Sequence, residues 1–485
     1  MICIPITAKT EQEALDCMET AAARGADIIE LRIDCMESPR LGRLLSARKK
    51  QVIVTCRKKE EGGFYRGSED ERIALLKDAI SLGADYVDVE LSSGSDSIKM
   101  LADGRGSCRL IVSFHNLKET PADIGEIRRI FAELEGVGCD IAKVATFAND
   151  IVDNIRMFES VKDLKTPFIA VCMGEKGELS RILYRVFGSF LTYAALDSGM
   201  ESATGQIQFS LMKDVYRADR LNRKTGILGT IGRPARYSRS FFMFNPVYEK
   251  LGLNFVHMKF EVDNLAAFLG EIRKLNPAGF SVTTPYKEQV IRHLDSMDEN
   301  AGKIGAVNTI SVRDGIFIGH NTDGMGAKKA LLEKTAIKGK VVVIIGAGGA
   351  AKSVAFELSR EGCRLFILNR TVERARQVAE KLGCGYGPIS DLDKMEYDIL
   401  INCTTVGMSP NDGETPVPKA QLRGVVMDVI YKPPVTRLLR EAKESGCMTV
   451  DGLAMLLHQA TGQFELWTGK KAPIEIMRES LWKSL

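Results

Sequence analysis

Short apolar runs punctuate the front part of the chain, and each is followed by a stretch whose apolar positions recur with helical spacing. The runs fall at residues 2–7, 28–34, 51–57, 86–91, 110–115, 141–146 and 168–173, with a weaker eighth at 191–196. Eight strands alternating with helices predict an α/β fold, a (β/α)8 barrel of the TIM type, over residues 1–221. Inside the strands the pattern has a period of two. Ile29, Leu31 and Ile33 share one face against Glu30 and Arg32, and Val87, Val89 and Leu91 oppose Asp88 and Glu90. The apolar set belongs against the outer helices and the polar set inside the barrel.

After a polar stretch with helical spacing at 211–224, the pattern starts again. No Pro/Gly/Ser-rich linker marks the change, which predicts a short ordered connection and a boundary near residue 222. A second α/β pattern runs to residue 323. Beyond it, the run at 341–345 is β-branched throughout and reads as a strand buried on both faces. The chain turns on Gly346, residues 350–360 read as a helix, and a further strand is predicted at 364–368. The expected back half is two-lobed. One lobe comprises residues 222–323, completed by helices within 451–485. The other is a Rossmann-type sheet over 324–450, and the cleft between them can close.

Candidate chemistry sharpens the picture. Arg57, His115 and Lys143 sit late in their strands, at the end where barrel active sites lie. Lys143 occupies an almost wholly apolar strand, and burial disfavours an ammonium, which suits an amine that attacks a ketone to form an imine. His115, one strand earlier, is placed to carry protons. A protonated imine acidifies the neighbouring carbon, so the pair is equipped to eliminate water from a β-hydroxy ketone. In the back half, Gly346-x-Gly348-x-x-Ala351 is a dinucleotide fingerprint in which Gly346, Gly348, Gly349 and Ala350 let a pyrophosphate approach amides at a helix N-terminus. An NAD-binding sheet usually carries an acid about 20 residues later. Here the strand ends in Asn369-Arg370-Thr371, with Arg374 one turn on, and these guanidinium groups favour the 2′-phosphate of NADP(H).

Polar clusters in the first lobe bring hydroxyls, amides and one amine to loops. They are Ser238-Arg239-Ser240, the Ser281 to Lys287 segment with Thr283, Asn308-Thr309, and Asn321-Thr322-Asp323. Together they suit a polyol, with Lys287 and Asp323 as an acid–base pair beside a nicotinamide. A net charge of +3 gives no argument for a nucleic-acid or membrane partner. No apolar run reaches membrane-spanning length, and the five histidines lie too far apart to suggest a metal site. Eleven cysteines without a CxxC pair read as reduced thiols, and a strand that begins at Ile2 predicts no leader. The expected compartment is the cytoplasm.

These residues also carry a resemblance. Glu30-Leu31-Arg32, Arg57 with Glu61-Gly62-Gly63, Ser113-Phe114-His115, Lys143-Val144-Ala145, Ser180-Arg181 and Ser202-Ala203-Thr204-Gly205-Gln206 resemble type I 3-dehydroquinate dehydratase. The resemblance implies Lys143 as the Schiff-base residue, His115 as general acid/base and Glu61 as its orienting partner. It further implies Arg181, Ser202 and Gln206 around a substrate carboxylate, and Glu30, Arg32 and Arg57 on the hydroxyl side. Thr204 stands where that family usually has proline.

The back half is similar to shikimate dehydrogenase in Ser238-x-Ser240, Val282-Thr283-x-Pro285-x-Lys287, the Gly305 to Thr309 segment and Asn321-Thr322-Asp323-Gly324. Asp428-Val429-Ile430-Tyr431 and the run from Gly452 to Ala460 extend the match. It implies Lys287 and Asp323 as the catalytic pair, with Ser238, Ser240, Thr283, Asn308, Tyr431 and Gln459 contacting substrate. Phe241, Phe244 and Ser281 replace the usual proline, histidine and asparagine, and are expected to alter the wall of the substrate loop.

The two resemblances imply one bifunctional enzyme. It would convert 3-dehydroquinate to 3-dehydroshikimate and then reduce that ketone to shikimate with NADPH. The first product being the second substrate supports the pairing. A Schiff-base aldolase fused to a quinate dehydrogenase, or an inactive scaffold binding the same intermediates, are the alternatives.

Overall fold

The apolar runs of the front part become the parallel strands of a barrel: β1 Ile2–Ile6, β2 Ile28–Arg32, β3 Gln51–Thr55, β4 Tyr86–Glu90, β5 Arg109–Asn116, β6 Ile141–Phe147, β7 Phe168–Met173 and β8 Thr192–Tyr193. The computed structural model describes residues 1–235 and 238–484. Its packing divides the chain into two units, Met1–Thr225 with Gly270–Leu275, and Gly226–Leu269 with Asn276–Leu485. In the first unit the strand order is β7-β6-β5-β4-β3-β2-β1-β8. The eighth strand is two residues long, and the seam between β7 and β8 carries a hydrogen bond from the Phe190 amide to the Phe168 carbonyl, 2.6 Å.

The period of two explains the barrel interior. Ile28, Ile53, Tyr86, Ile111, Ile141 and Ile169 form an apolar cluster with Cys3, Leu191 and Tyr193. One inward position further along the same strands come Glu30, Thr55, Asp88, Ser113 and Lys143, all buried. An apolar floor therefore supports a polar upper layer. The connector at 211–224 departs from expectation. Only Leu211–Val215 is helical, and Arg217 then adopts φ 52°, a left-handed conformation that a helix cannot continue through. Met212, Tyr216, Ala218 and Leu221 in this stretch are nevertheless buried.

The second unit holds two sheets. In the first, β9 Gly226–Gly232, β10 Phe255–Glu261, β11 Gly279–Val282, β12 Ser296–Met297, β13 Thr309–Arg313 and β14 Ile316–His320 lie in the order β10-β9-β11-β13-β14-β12. In the second, β15 Val341–Ile345, β16 Arg364–Leu368, β17 Gly385–Gly387, β18 Ile399–Asn402, β19 Val425–Asp428 and β20 Met448–Val450 lie in the order β17-β16-β15-β18-β19-β20. All its pairings are parallel. This is the doubly wound order with its switch point between β15 and β18, where such folds bind a dinucleotide.

The helix Gly452–Thr468 joins the two sheets. Leu457, Phe464 and Trp467 pack with Leu228, Phe244 and Tyr248 under the first sheet, while Met455 joins the core of the second. It can cross helix Asp323–Leu332 closely because residue 326 is glycine; a Cβ there would stand 2.8 Å from the backbone nitrogen of Gln459. Phe244 corrects an expectation. It is fully buried, with ring centroids 4.8 Å from His257 and 5.3 Å from Trp467, and so belongs to the core and not to a substrate wall. Replacing it, Phe244→Ala, is expected to lower the stability of the second unit by about 3–5 kcal/mol, read as an earlier midpoint in urea unfolding.

Candidate active sites

At the barrel mouth, charges withdrawn from water neutralise one another. Lys143 Nζ donates to Asp88 Oδ2 at 2.7 Å and lies 3.8 Å from Glu30 Oε1. The strand that carries Lys143 is apolar, as expected, and the side chains facing the lysine from neighbouring strands are carboxylates. Arg57 binds Asp88 at 3.0 Å, Glu90 at 2.9 Å and Ser113 Oγ at 2.8 Å. Burial alone would push the Asp88 carboxyl up, yet Arg57 and Lys143 outweigh it and hold the group well below the usual carboxylate range. Arg32 forms a two-bonded fork on Asp34, at 2.9 and 2.8 Å, and Glu30 accepts from Thr55 Oγ1 at 2.8 Å.

His115 stands one inward position beyond Ser113, the residue that pairs across the sheet with Lys143. Glu61 Oε2 lies 2.9 Å from His115 Nδ1 and accepts the His115 backbone amide at 3.1 Å. Glu61 is itself held by Ser92 Oγ at 2.6 Å. Burial, with Arg57 and Lys143 nearby, pushes the imidazole well below its ordinary value, and burial pushes Glu61 up. Arg181 differs from every other charge here. It is 1% exposed, its Nε has no hydrogen-bond partner among the described residues, and burial pulls the guanidinium down to about 10. Ser202 and Gln206 bind each other, Gln206 Nε2 donating to Ser202 Oγ at 2.9 Å.

In the second unit, Lys287 Nζ donates to Asp323 Oδ2 at 2.5 Å, and Asn308 Nδ2 donates to Asp323 Oδ1 at 2.8 Å. Both carboxylate oxygens are engaged, so Asp323 is fixed and in turn aims the lysine. Gln459 Oε1 accepts from Asn308 Nδ2 at 3.2 Å and from Thr322 Oγ1 at 3.3 Å. Ser238 and Ser240 are buried with hydroxyls 3.2 Å apart; Thr283 and Tyr431 are half-buried.

The fingerprint turn runs from β15 into helix Gly349–Arg360, one residue longer than expected. A Cβ on Gly349 would meet Lys287 Cβ at 3.1 Å, so glycine lets this helix start against the lysine. A Cβ on Gly348 would meet nothing, and Gly346 takes φ 114°, which favours glycine. Ala350 lies in the first turn of that helix. Asn369 Nδ2 donates to the Thr371 carbonyl at 2.9 Å, while Arg370, just past β16, and Arg374, in the first turn of helix Val372–Leu382, are exposed. Open backbone at a helix N-terminus beside exposed guanidinium groups fits a phosphorylated dinucleotide.

Comparison with known proteins matches both halves. Residues 2–223 match type I 3-dehydroquinase, and residues 230–310 match the shikimate dehydrogenase substrate binding domain. Residues 328–453 match shikimate/quinate 5-dehydrogenase, and residues 452–481 the shikimate 5′-dehydrogenase C-terminal domain. The chloroplastic bifunctional 3-dehydroquinate dehydratase/shikimate dehydrogenase of Arabidopsis thaliana is 39% identical over 98% of this chain and 83% of its own length. The chain belongs to the bifunctional 3-dehydroquinate dehydratase/shikimate dehydrogenase family.

The NADP(+) shikimate dehydrogenase of Methanocaldococcus jannaschii is 43% identical over 54% of this chain and 98% of its own length. A crystal structure of shikimate dehydrogenase in complex with NADP+ aligns with TM-score 0.52 and 42% identity, covering 54% of this chain and 97% of that one. Against this family background, several residues of the barrel network lay outside the sequence-derived set. Asp88 and Glu90 were legible as inward-facing, but their partnership with Lys143, Arg57 and Arg72 was not. Asp34, the partner of Arg32, follows β2 in a short 3₁₀ turn, which breaks the period of two. Among the described residues no helix is long and apolar enough to cross a membrane.

The lowered pKa of His115 has a direct consequence. A ring whose pKa is depressed stays unprotonated until the pH falls below that depressed value. An NMR titration of the imidazole is therefore expected to find it neutral at pH 6, where an ordinary histidine is mostly charged. A midpoint at or above the ordinary value would contradict the geometry.

Proposed function

We propose that the barrel dehydrates its substrate through an imine on Lys143, and that Lys287 and Asp323 manage the proton of the second reaction. The chain is a bifunctional enzyme of the shikimate pathway, a 3-dehydroquinate dehydratase joined to an NADP-dependent shikimate dehydrogenase. Domain limits of 1–221, 222–323 with 451–485, and 324–450 assign one activity to the barrel and the other to the two-lobed remainder. The observation that carries the reading is the placement of Lys143 and Lys287, each buried or half-buried against a carboxylate.

In the barrel, the Lys143 amine adds to the ketone of 3-dehydroquinate and water leaves, giving a protonated imine. His115, neutral and oriented by Glu61, takes the proton from the carbon made acidic by that imine. The protonated His115 returns that proton to the β-hydroxyl, which leaves as water while the double bond forms, and hydrolysis returns the free lysine and 3-dehydroshikimate. Glu30, Arg32 and Arg57 line the hydroxyl side. Arg181 is suited to a carboxylate, since it is a buried cation with no acidic partner among the described residues, and Ser202 and Gln206 complete that end.

In the second unit, Ser238, Ser240, Thr283, Asn308, Tyr431 and Gln459 contact the substrate, and Lys287, aimed by Asp323, hands a proton to the carbonyl oxygen as it becomes a hydroxyl. Gly346, Gly348, Gly349 and Ala350 would hold the pyrophosphate of NADPH, and Asn369, Arg370, Thr371 and Arg374 its adenosine end. When bound, that cofactor supplies the hydride. Cytoplasmic residence is supported by eleven cysteines that are all free.

Borohydride added with 3-dehydroquinate is expected to attach substrate mass to the peptide carrying Lys143, and Lys143→Ala to abolish both trapping and dehydration. His115→Ala should still trap substrate while eliminating water roughly 10²–10⁴-fold more slowly. A Lys143→Ala enzyme that dehydrates normally would remove the imine from the mechanism. For the cofactor, Arg370→Ala is expected to raise KM for NADPH about ten- to a hundredfold with little change for NADH. Equal effects on both cofactors would refute the role of Arg370.

A further inference from the structure

An arginine from the outer ring of the barrel reaches into its wall behind the dehydratase site. Arg72 lies near the start of helix Glu69–Ser81, yet it is only 1% exposed, a rare place for a guanidinium unless its charge and its hydrogens are met. All five N–H hydrogens are engaged. Nε and Nη2 grip the Glu69 carboxylate as a fork, both at 2.9 Å. Nη1 donates to the Cys56 carbonyl at 2.8 Å and to Glu90 Oε2 at 2.7 Å, and Nη2 donates to Ser93 Oγ at 2.6 Å. A lysine could match the charge but not this planar spread of donors.

Three of these contacts lead to the site. Arg57 lies two residues beyond the end of β3, and the peptides on either side of it are held by one device. Arg72 takes the carbonyl of Cys56, and Glu90, itself bound to Arg72, accepts the amide of Lys58 at 3.1 Å. The same Glu90 oxygen receives the Arg57 guanidinium at 2.9 Å. The third contact, Ser93, belongs to the 3₁₀ turn Leu91–Ser93 that follows β4. Ser92 in that turn donates to Glu61 Oε1 at 2.6 Å, and Glu61 Oε2 lies 2.9 Å from His115 Nδ1. Lys143, by contrast, is held by Asp88 and Glu30, neither of which Arg72 touches.

We propose that Arg72 is a positioning residue of the dehydratase. From outside the barrel it sets Arg57, through Cys56 and Glu90, and the Glu61–His115 pair, through the Leu91–Ser93 turn, in register for elimination over an imine on Lys143. The proposal rests on the reading above that Lys143 forms the imine and His115 moves the proton.

The full chain with saturating 3-dehydroquinate tests it. Arg72→Lys, which keeps the charge without the fork, is expected to lower kcat for dehydration about tenfold. Imine formation should survive. Borohydride added in the first turnover should attach as much substrate to Lys143 as in the unaltered chain, and the adduct should be heavier by one water because it is caught before elimination. Loss of folded protein would instead lower trapping and dehydration in step. Ser93→Ala, in a half-buried turn, removes one branch alone and should lower kcat about threefold with full trapping. Reduction of 3-dehydroshikimate by NADPH should be unaltered in both variants. In a folded Arg72→Lys chain, an unaltered kcat, or trapping that falls in step with dehydration, would overturn the role of Arg72. If that variant does not fold, Ser93→Ala decides: slowed elimination with full trapping supports the role, and an unaltered kcat overturns it. His115→Ala separates the two levels. Unaltered dehydration there would overturn the reading of His115 itself, whereas slow elimination there beside a normal Arg72→Lys would overturn the role of Arg72 alone.

Discussion

A lysine withdrawn from water has to meet its charge inside the protein, and that constraint organises both halves of this chain. Lys143 meets Asp88 at 2.7 Å in the barrel, and Lys287 meets Asp323 in the second unit. An unpaired ammonium at either place would be costly, and a pair without further hydrogen bonds would not repay its own desolvation. Both sites therefore extend outward. Asp88 also receives Arg57 and Ser113, Arg57 reaches Glu90, and Glu90 reaches Arg72, so that the interior of the barrel mouth is one connected set of charges. Asp323 receives Asn308, which in turn contacts Gln459.

The two folds meet this constraint by different means. In the barrel, parallel strands point alternate residues inward, and the shift from isoleucines on the floor to charges above them comes from moving two residues along each strand. In the second unit the lysine lies beyond the end of β11, and its surroundings are assembled from separate segments: the turn before helix Asp323–Leu332, the helix carrying Gln459, and the fingerprint helix that Gly349 admits against Lys287. Within the network of buried pairs, Arg181 is the exception, a buried cation that makes no ion pair among the described residues.

Much of this was legible in the sequence because periodicity reports which way a side chain points. Glu30, Arg32, Asp88 and Glu90 were placed inside the barrel by alternation alone, and the five β-branched residues before Gly346 marked the central strand of the dinucleotide sheet. Periodicity does not report what a side chain meets from other strands. For Lys143 the sequence therefore showed an apolar strand but not which interior carboxylates β2 and β4 bring to it. Phe244 read as part of a substrate loop, because its place in the core depends on Trp467, over two hundred residues away in sequence. The stretch at 211–224 kept helical spacing of its apolar residues, but a left-handed turn at Arg217 ends the helix early.

The central claim is that two chemistries, each built on its own carboxylate-held lysine, act in sequence on one molecule. The most direct measurement follows NADPH consumption and product identity in the full chain supplied first with 3-dehydroquinate and then with 3-dehydroshikimate. The unaltered enzyme should consume NADPH with either compound and yield shikimate from both. Lys143→Met should consume it only with 3-dehydroshikimate, and Lys287→Met with neither, while still releasing 3-dehydroshikimate from 3-dehydroquinate. A Lys143→Met enzyme that consumes NADPH from 3-dehydroquinate at the unaltered rate would contradict the account.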